Sequence, residues 1–335
     1  MAKWKVVITD GEFENFDLEK EILKKIDADV YTYQFKSEDE LIPIVRDCDA
    51  VIMQYSNLTR KVIESMQKCK IISKYAIGLD RIDIEVATEN DICVGHVRDY
   101  CIDEVSTHAV GLILDSTRKI TLLNNSVKAG NWDYKISKKI YNLRGLTLGL
   151  NSFGKIAQLV AEKMRPYGVQ IITYDPFLPP EVAEKLNVKL VSFDELCRES
   201  DILSTHVADM PETRGMFNKA AFLKMKNTAH LVNTGRGPVI NEQDLIWALE
   251  NDEIAGVALD VTEKEPIESD SPLLKMKNVI ITPHSAYYSE ESQIRLQSLT
   301  AENVVQRLSG YSPRYFANPI LKTKLGLMDL PEDWS

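Results

Sequence analysis

Short runs rich in β-branched residues alternate along this chain with stretches of helical periodicity. The alternation is typical of parallel sheets, because a parallel connection needs a crossover that is usually helical. A first set of strands is predicted at residues 4–10, 28–35, 50–55, 70–75 and 92–96. A second set of six is predicted at 146–150, 169–174, 202–206, 230–234, 254–260 and 279–282. We therefore predict an α/β fold with two doubly wound parallel sheets.

The two sets of strands are separated by a long amphipathic segment at 104–128. A length of 335 residues corresponds to about two domains of ordinary size. A helix is predicted directly after Ser289, and the proline-containing tail beyond it is expected to return to the first domain. We therefore predict one domain from residues 1–100 and 290–335 and a second from residues 101–289.

Charge and composition exclude several classes of protein. The 50 acidic and 40 basic residues give a formal charge of −10, which opposes binding to nucleic acid. No run approaches about 18 consecutive apolar residues, and no apolar signal segment precedes the first strand. The five cysteines lack the spacing of a metal or disulfide site. We expect a cytoplasmic protein without a metal and without a membrane partner.

A glycine-containing loop follows the first strand of the second set. Dinucleotide-binding loops carry G-x-G-x-x-G/A at this place, and the residues here read SFGKIA, with serine for the first glycine. Alone, the pattern is as typical of a structural turn as of a phosphate site. The predicted helix after the loop favours the phosphate site, since its amino terminus attracts an anion. The predicted contacts are Ser152, Phe153, Gly154, Lys155 and Ile156.

Asp175 ends the next predicted strand, where a carboxylate can bind a ribose 2′-hydroxyl. Its charge would repel a 2′-phosphate, and no lysine or arginine follows before Lys185. NAD is therefore predicted in preference to NADP. The hydroxyl of Ser152 is expected to form a hydrogen bond in place of the close approach that glycine allows.

Several polar residues fall just beyond the carboxyl ends of predicted strands, where open α/β sheets bind ligands. Each has an ordinary alternative: His284 as a partly buried histidine, Arg236 as a helix cap or ion-pair partner, Glu265 as a solvated side chain. Their shared edge favours one common site. The residues that end strands at this edge are Asp175, His206, Arg236, Asp260 and His284.

Three side chains near this edge have the chemistry to reduce a 2-keto acid. Arg236 can hold a carboxylate through two parallel hydrogen bonds. His284, oriented by Glu265, can donate a proton to a forming alkoxide. No side chain supplies a hydride, so a nicotinamide cofactor is implied.

The motifs resemble those of the D-isomer-specific 2-hydroxyacid dehydrogenases over nearly the whole chain. The resemblance is carried by AIGLDRID, SFGKIA, DILSTHVADMPETRGMFN, LVNTGRGPVINEQDL, AGVALDVTEKEP and ITPH. It implies a Rossmann NAD-binding domain at 101–289 and a smaller flavodoxin-like substrate domain at 1–100 and 290–335, with a cleft between them. It also implies a homodimer that pairs through the cofactor domain.

The resemblance also implies roles for individual residues. The catalytic triad would be Arg236, Glu265 and His284. Asp260 would lie near the nicotinamide carboxamide, and the backbone of Ile77 and Gly78 would meet the substrate carboxylate. Further cofactor contacts are expected at His206, Thr234 and Gly235.

The irregular, basic and aromatic segment at 129–145 is predicted to be an arm that lies on a second subunit, with a surface loop as the alternative. Tyr55 and Tyr287 are predicted to contact the substrate and to favour a branched or aromatic 2-keto acid, although Tyr55 packed under its loop is an alternative. The identity of the hydroxy acid stays open.

The chain departs from the family pattern at Ser152, at Ala208, where proline is usual, and in SAYYSEE after His284. The tyrosines of the last segment resemble the branch that includes the C-terminal binding proteins, which are NAD-sensing transcriptional corepressors. The alternative function is therefore an NAD(H)-sensing, corepressor-like binding protein with little turnover. A peptide-docking surface and regulatory tails would be expected of such a protein.

Overall fold

The computed structural model describes residues 3–35 and 37–334. The strands are β1 (Trp4–Ile8), β2 (Ala28–Thr32), β3 (Ala50–Met53), β4 (Ile71–Lys74), β5 (Cys93–Gly95), β6 (Thr147–Asn151), β7 (Gln170–Tyr174), β8 (Lys189–Leu190), β9 (Ile202–Thr205), β10 (His230–Asn233), β11 (Gly256–Leu259) and β12 (Val279–Ile281). The α-helices are α1 (Asp17–Leu23), α2 (Glu38–Val45), α3 (Arg60–Glu64), α4 (Ile84–Glu89), α5 (Ile102–Arg118), α6 (Ile120–Lys128), α7 (Lys155–Met164), α8 (Pro180–Lys185), α9 (Phe193–Glu199), α10 (Lys219–Phe222), α11 (Glu242–Glu250), α12 (Glu290–Leu308) and α13 (Ile320–Lys324).

The chain divides into two compact units, Met1–Cys101 with Ser289–Ser335 and Ile102–Tyr288. The first unit contains a parallel sheet of five strands in the order β2-β1-β3-β4-β5. This is the strand order of flavodoxin-like folds, so the predicted fold class is confirmed for this unit. Strand β3 is buried along its whole length, as its uninterrupted apolar sequence AVIM requires.

Helix α12 brings the carboxyl-terminal part of the chain onto this first sheet. It begins after Ser289, as predicted, because Ser289 Oγ accepts a hydrogen bond from Ser292 N at 2.9 Å and Ser292 Oγ accepts one from Ser289 N. Ser73 Oγ of β4 donates to Thr300 O at 2.9 Å in the buried face of the helix. The first unit is therefore completed by residues from both ends of the sequence.

The second unit contains a parallel sheet of seven strands in the order β8-β7-β6-β9-β10-β11-β12. Counted from β6, this is the Rossmann order with one further strand at the end. The predicted number of six strands was wrong. The missing strand is β8, two residues that pair in parallel with β7 at the edge of the sheet. Two residues are too few to show a periodicity.

The amphipathic segment predicted at 104–128 forms two helices, α5 and α6. Lys119 between them has a φ of 58°, and a left-handed residue cannot continue a right-handed helix. Helix α6 starts with help from Asp115, whose Oδ1 accepts a hydrogen bond from Thr121 N at 2.7 Å. The break lets the chain turn at the end of α5.

Within residues 3–35 and 37–334, no helix is long and apolar enough to cross a bilayer. The same residues include no group of three or more His, Cys, Asp or Glu side chains that could hold a metal ion. All five cysteines are buried.

Candidate active site

The dinucleotide loop joins β6 to α7 through Ser152, Phe153 and Gly154. Ser152 has a φ of 75°, in the left-handed region where glycine is favoured. Its amide donates a hydrogen bond to Tyr174 O at 2.8 Å. The serine therefore adopts the backbone conformation that glycine would adopt with less strain.

Asp175 binds this turn from the end of β7. Its Oδ2 accepts hydrogen bonds from Phe153 N at 2.9 Å and from Ser152 Oγ at 3.3 Å. Its Oδ1 accepts one from Phe177 N at 2.9 Å. The carboxylate predicted to meet the ribose is thus held beside the loop, and the Ser152 hydroxyl points to this carboxylate.

The loop has the features that a dinucleotide phosphate requires. A Cβ built on Gly154 would meet no atom of the described chain within 4 Å, so there is open space beside the loop. Among the described residues, no side chain caps the amino terminus of α7. The amides of its first turn, at Lys155 and Ile156, are therefore available to an anion. These residues fit a bound dinucleotide.

His206 follows β9 at the same edge of the sheet. Its Nε2 lies 3.0 Å from Ser204 Oγ, and its Nδ1 lies 3.4 Å from Thr234 Oγ1 at the end of β10. Burial lowers the pKa of His206 to about 4, so the imidazole is neutral at physiological pH. Two predicted cofactor residues are thus in contact beside the dinucleotide loop.

Arg236 lies in a tight segment after β10. Asn233 Oδ1 accepts a hydrogen bond from Gly235 N at 2.9 Å, and Asn233 Nδ2 donates to Arg236 O at 3.0 Å. A methyl group at Gly237 would overlap the carbonyl oxygen of Thr262, so only glycine allows this close approach. The contact brings the arginine segment beside the loop that follows β11.

Glu265, on the loop after β11, pairs with His284. The distance from His284 Nδ1 to Glu265 Oε2 is 2.8 Å, and Glu265 Oε1 accepts a hydrogen bond from Thr262 N at 3.2 Å. Because an ionised carboxylate only accepts hydrogen bonds, Nδ1 carries a proton and Nε2 is left for a ligand. The two side chains are 44% and 39% exposed, so a substrate can reach them.

The surroundings of Glu265 keep it ionised. Partial burial raises its pKa, but the hydrogen bond and charge of His284, the amide of Thr262 and the charge of Arg236 together outweigh burial. The pKa of Glu265 therefore lies below its ordinary value. An anion at this position stabilises an imidazolium at His284.

Asp260 fixes the loop that carries His284. The side chain is 2% exposed, and its Oδ1 accepts hydrogen bonds from Thr282 Oγ1 at 2.6 Å and Ser285 N at 2.9 Å. Its Oδ2 accepts one from Ala286 N at 2.9 Å, and its backbone oxygen accepts one from His284 N at 2.8 Å. His284 has a φ of 51°, a strained value that these bonds maintain. We call this carboxylate with Thr282, Ser285 and Ala286 the Asp260 clamp.

His108 belongs to the same cluster, although sequence reasoning did not select it. It lies on α5, with Nε2 3.0 Å from Thr282 Oγ1 and 3.5 Å from Asp260 Oδ1. A single histidine in the middle of an amphipathic helix resembles any polar residue of such a helix. No signal in the sequence distinguishes it.

The predicted substrate residues Ile77 and Gly78 follow β4 in the first unit. His96 Nδ1 lies 2.8 Å from Ile77 O, and Arg98 Nε donates to His96 Nε2 at 3.2 Å. Nδ1 therefore carries the proton. Burial lowers the pKa of His96, which favours the neutral ring. Because C=O and N–H of a trans peptide point in opposite directions, the amide of Gly78 points away from His96.

The two predicted substrate tyrosines lie in different units. Tyr55 is 46% exposed, and its hydroxyl donates to Glu12 Oε2 at 2.8 Å, so it is not packed beneath its loop. Its amide donates to Asp10 Oδ2. In the second unit, the ring of Tyr287 lies edge-on to His284, with 6.4 Å between the ring centroids.

The segment predicted to be an arm exposes large aromatic side chains. Trp132 is 90% exposed, Tyr134 75% and Tyr141 46%. A short 3₁₀ helix, Tyr134–Ser137, is its regular element. Such exposed aromatic surface is typical of residues that pack against another molecule.

Comparisons with known proteins show what this chain is similar to. Residues 110–286 match the family model described as D-isomer specific 2-hydroxyacid dehydrogenase, NAD binding domain. A D-3-phosphoglycerate dehydrogenase of Methanocaldococcus jannaschii is 37% identical over 91% of this chain, which spans only 58% of that relative. A glyoxylate reductase of Thermofilum pendens is 35% identical over 89% of this chain and 91% of its own length.

A solved structure is also similar to this chain over nearly its whole length. The crystal structure of a D-lactate dehydrogenase from Aquifex aeolicus, complexed with NAD and lactic acid, matches with a TM-score of 0.80 at 27% identity. The match covers 93% of this chain and 98% of the other. The chain belongs to the D-isomer specific 2-hydroxyacid dehydrogenase family and carries the NAD-binding domain of that family.

Proposed function

We propose that the protein is an NAD-dependent oxidoreductase that interconverts a 2-keto acid and the corresponding D-2-hydroxy acid. The supporting observation is the 2.8 Å contact between His284 Nδ1 and Glu265 Oε2, with the charge of Arg236 close enough to act on Glu265. The names of the relatives, D-3-phosphoglycerate dehydrogenase, glyoxylate reductase and D-lactate dehydrogenase, support the same reaction class.

The three side chains have complementary tasks in the direction of reduction. Arg236 binds the substrate carboxylate through its planar fork. Protonated His284 gives the proton on Nε2 to the carbonyl oxygen as that oxygen gains charge. Glu265 orients the ring and stabilises its charged form before the transfer. Oxidation of the hydroxy acid reverses each proton movement.

The dinucleotide contributes the hydride chemistry when it is bound. Asp175 favours NAD over NADP, because its charge repels a 2′-phosphate. The residues proposed to hold the cofactor are Ser152, Phe153, Gly154, Lys155, Ile156, Asp175, His206, Thr234, Gly235 and Asp260.

Four residues are proposed to contact the substrate besides Arg236. The backbone of Ile77 and Gly78 would bind its carboxylate, and Tyr55 and Tyr287 would contact its side chain. Aromatic contacts suit a branched or aromatic 2-keto acid better than a phosphorylated one. Faster turnover of phosphohydroxypyruvate than of every apolar keto acid would contradict this choice.

The experiment that tests the function is NADH oxidation with a panel of 2-keto acids, from pyruvate and glyoxylate to 2-ketoisocaproate, phenylpyruvate and phosphohydroxypyruvate. We expect turnover of at least one, a loss of kcat/KM of about 100-fold or more in Arg236→Ala, and a smaller loss in Arg236→Lys, which keeps the charge without the fork. Tight NADH binding without turnover of any panel member would contradict the proposal and favour the NAD(H)-sensing alternative.

We also propose that the chain pairs with a second copy of itself through the cofactor domain and the arm at 129–145. The exposed rings of Trp132 and Tyr134 support this assignment. Light scattering after size exclusion should give twice the chain mass for the wild-type protein and a lower mass for Trp132→Glu with Tyr134→Glu. A monomeric wild-type protein would contradict the pairing.

A further inference from the structure

His108 lies outside the triad but is in contact with the loop of the proposed acid and base. Its Nε2 is 3.0 Å from Thr282 Oγ1 and 3.5 Å from Asp260 Oδ1. The His108 side chain is 25% exposed, while that of Asp260 is almost fully buried. His108 thus contacts the Asp260 clamp from α5.

The hydrogen positions in this cluster follow from the number of protons available. Thr282 Oγ1 has one hydrogen and donates it to Asp260 Oδ1 over 2.6 Å. The contact between His108 and Thr282 therefore needs a hydrogen on His108 Nε2, which is donated to Thr282 Oγ1. The histidine acts as a donor that completes the bonding of the threonine hydroxyl.

We propose that His108 is a positioning residue for His284, acting through Thr282 and Asp260. The chain of contacts runs from His108 Nε2 to Thr282 Oγ1 and on to Asp260 Oδ1, which also accepts a hydrogen bond from Ser285 N. Thr282 precedes His284 along the chain and Ser285 follows it. The cluster therefore fixes the backbone on both sides of His284. The inference rests on the proposed function, since it assigns His108 a task in the proton transfer by His284.

The expected effect falls on the chemical step. A small displacement of His284 weakens proton transfer in the transition state, whereas the binding of the substrate carboxylate by Arg236 is unchanged. Loss of one hydrogen bond to a charged cluster corresponds to about a tenfold effect. We expect kcat to fall about tenfold and KM to stay within about threefold when the donor is lost.

Glutamine and asparagine form a matched pair of replacements for His108. The amide nitrogen of glutamine lies about as far from the backbone as Nε2 of histidine, so His108→Gln keeps a donor for Thr282 Oγ1. The asparagine amide is one methylene shorter and cannot reach it. Both variants are neutral, and both carry the same functional group. His108→Gln is expected to retain kcat, and His108→Asn to lose about tenfold.

The experiment measures kcat and KM of both variants with the best keto acid of the panel, after thermal unfolding has established that they fold. Loss of kcat in His108→Asn with recovery in His108→Gln supports the inference. Equal kcat in wild type and both variants, or equal loss in both, overturns it and leaves the proposed function intact. Absence of turnover by the wild-type protein overturns the proposed function and this inference together.

A second measurement does not depend on turnover. Nuclear magnetic resonance of wild-type protein labelled with ¹⁵N-histidine distinguishes the two neutral ring forms, and the chain has only five histidines. Thr282→Val identifies the His108 signal, because it removes the acceptor. We expect a hydrogen on Nε2 of His108. A neutral ring with its hydrogen on Nδ1 alone would overturn the inference.

Discussion

Asp175 and Asp260 anchor two loops at the same edge of the second sheet, but they are buried to different degrees. Asp175 is half-buried and accepts hydrogen bonds from two amides and, at 3.3 Å, from Ser152 Oγ. Asp260 is 2% exposed and accepts hydrogen bonds from a hydroxyl and two amides at 2.6 to 2.9 Å. Asp175 can therefore exchange a hydrogen-bond partner with a ligand, whereas Asp260 is held by its protein partners.

The difference matches what each loop is proposed to do. A cofactor must enter and leave, so a carboxylate that water already reaches can exchange a weak protein contact for a ribose hydroxyl at small cost. The His284 loop needs a constant position during proton transfer, and hydrogen bonds to a buried charge are the stronger kind. We therefore expect the two carboxylates to respond differently to the same substitution.

Among substitutions of the loop carboxylates and of the residues that bond to them, the largest effect is expected for Asp260→Asn. The new amide nitrogen would face a donor, Ala286 N or the pair Thr282 Oγ1 and Ser285 N, which leaves buried donors without an acceptor. We expect kcat to fall about 100-fold or more and the free energy of unfolding to fall by about 3 kcal/mol. Steady-state kinetics and urea unfolding measure the two quantities. A variant that keeps kcat within about threefold of wild type would refute the role of the clamp.

Glu265→Gln should rank next. An amide cannot stabilise an imidazolium as a carboxylate does, so we expect kcat to fall by about 100-fold, with a smaller change in unfolding free energy because the pair is partly exposed. NADH binding should be unchanged, which fluorescence titration would check. Equal kcat in the variant would remove Glu265 from the mechanism.

The pH dependence of stability tests whether Glu265 acts on His284 as an ionised carboxylate. The pKa of Glu265 is lowered in the folded protein, so its contribution to stability is present above the unfolded pKa and is lost as pH falls through the folded pKa. The extra stability of wild type over Glu265→Gln should therefore be present at pH values above the ordinary pKa of glutamate. It should disappear in acid, at a pH below the ordinary range for glutamate. A difference in Tm that persists unchanged at a pH far below that range would contradict the assignment.

Asp175→Asn is the same substitution as Asp260→Asn at the other carboxylate. Its effect should be smaller and should fall on cofactor affinity rather than on kcat. The variant loses the repulsion of a 2′-phosphate and one charged acceptor for the ribose. We expect the Kd for NADH to rise about tenfold, the preference over NADPH to narrow, and kcat to change little. If kcat falls as far as in Asp260→Asn, the contrast between the two carboxylates is wrong.

The smallest effect is expected for Ser152→Gly. Glycine relieves the strain of the φ of 75°, but it removes the hydroxyl contact to Asp175 and makes the unfolded chain more flexible. We expect the free energy of unfolding to change by less than about 1 kcal/mol and the Kd for NADH by less than about threefold. A much tighter affinity would mean that the serine weakens cofactor binding.

The sequence was most informative where a long pattern repeats. Alternating runs located eleven of the strands to within a few residues, but not Lys189–Leu190, which is too short to show a pattern. The turn at Lys119 was also missed, because a lysine at positive φ has no sequence signature. Periodicity reports burial along an element and says nothing about single residues that tertiary contacts force into unusual conformations.

For the candidate site, as for the fold, the sequence indicated some features and not others. The rule that ligands bind at the carboxyl ends of strands selected Asp175, Asp260 and His284. It did not reveal that Asp260 bonds to the amides of Ser285 and Ala286, because backbone donors are the same in every sequence. The chain of contacts from His108 joins segments far apart in sequence, so a single sequence could not reveal it.

The most direct test of the central claim is the configuration of the product formed from a 2-keto acid and NADH, compared between wild type and His284→Gln by chiral chromatography. We predict the D-2-hydroxy acid from the wild-type protein and at least about a 1000-fold slower formation by the variant. Formation of the L isomer would contradict the proposed D-2-hydroxy acid product. An undiminished rate in His284→Gln would contradict the proposal that His284, Glu265 and Arg236 carry out the reaction.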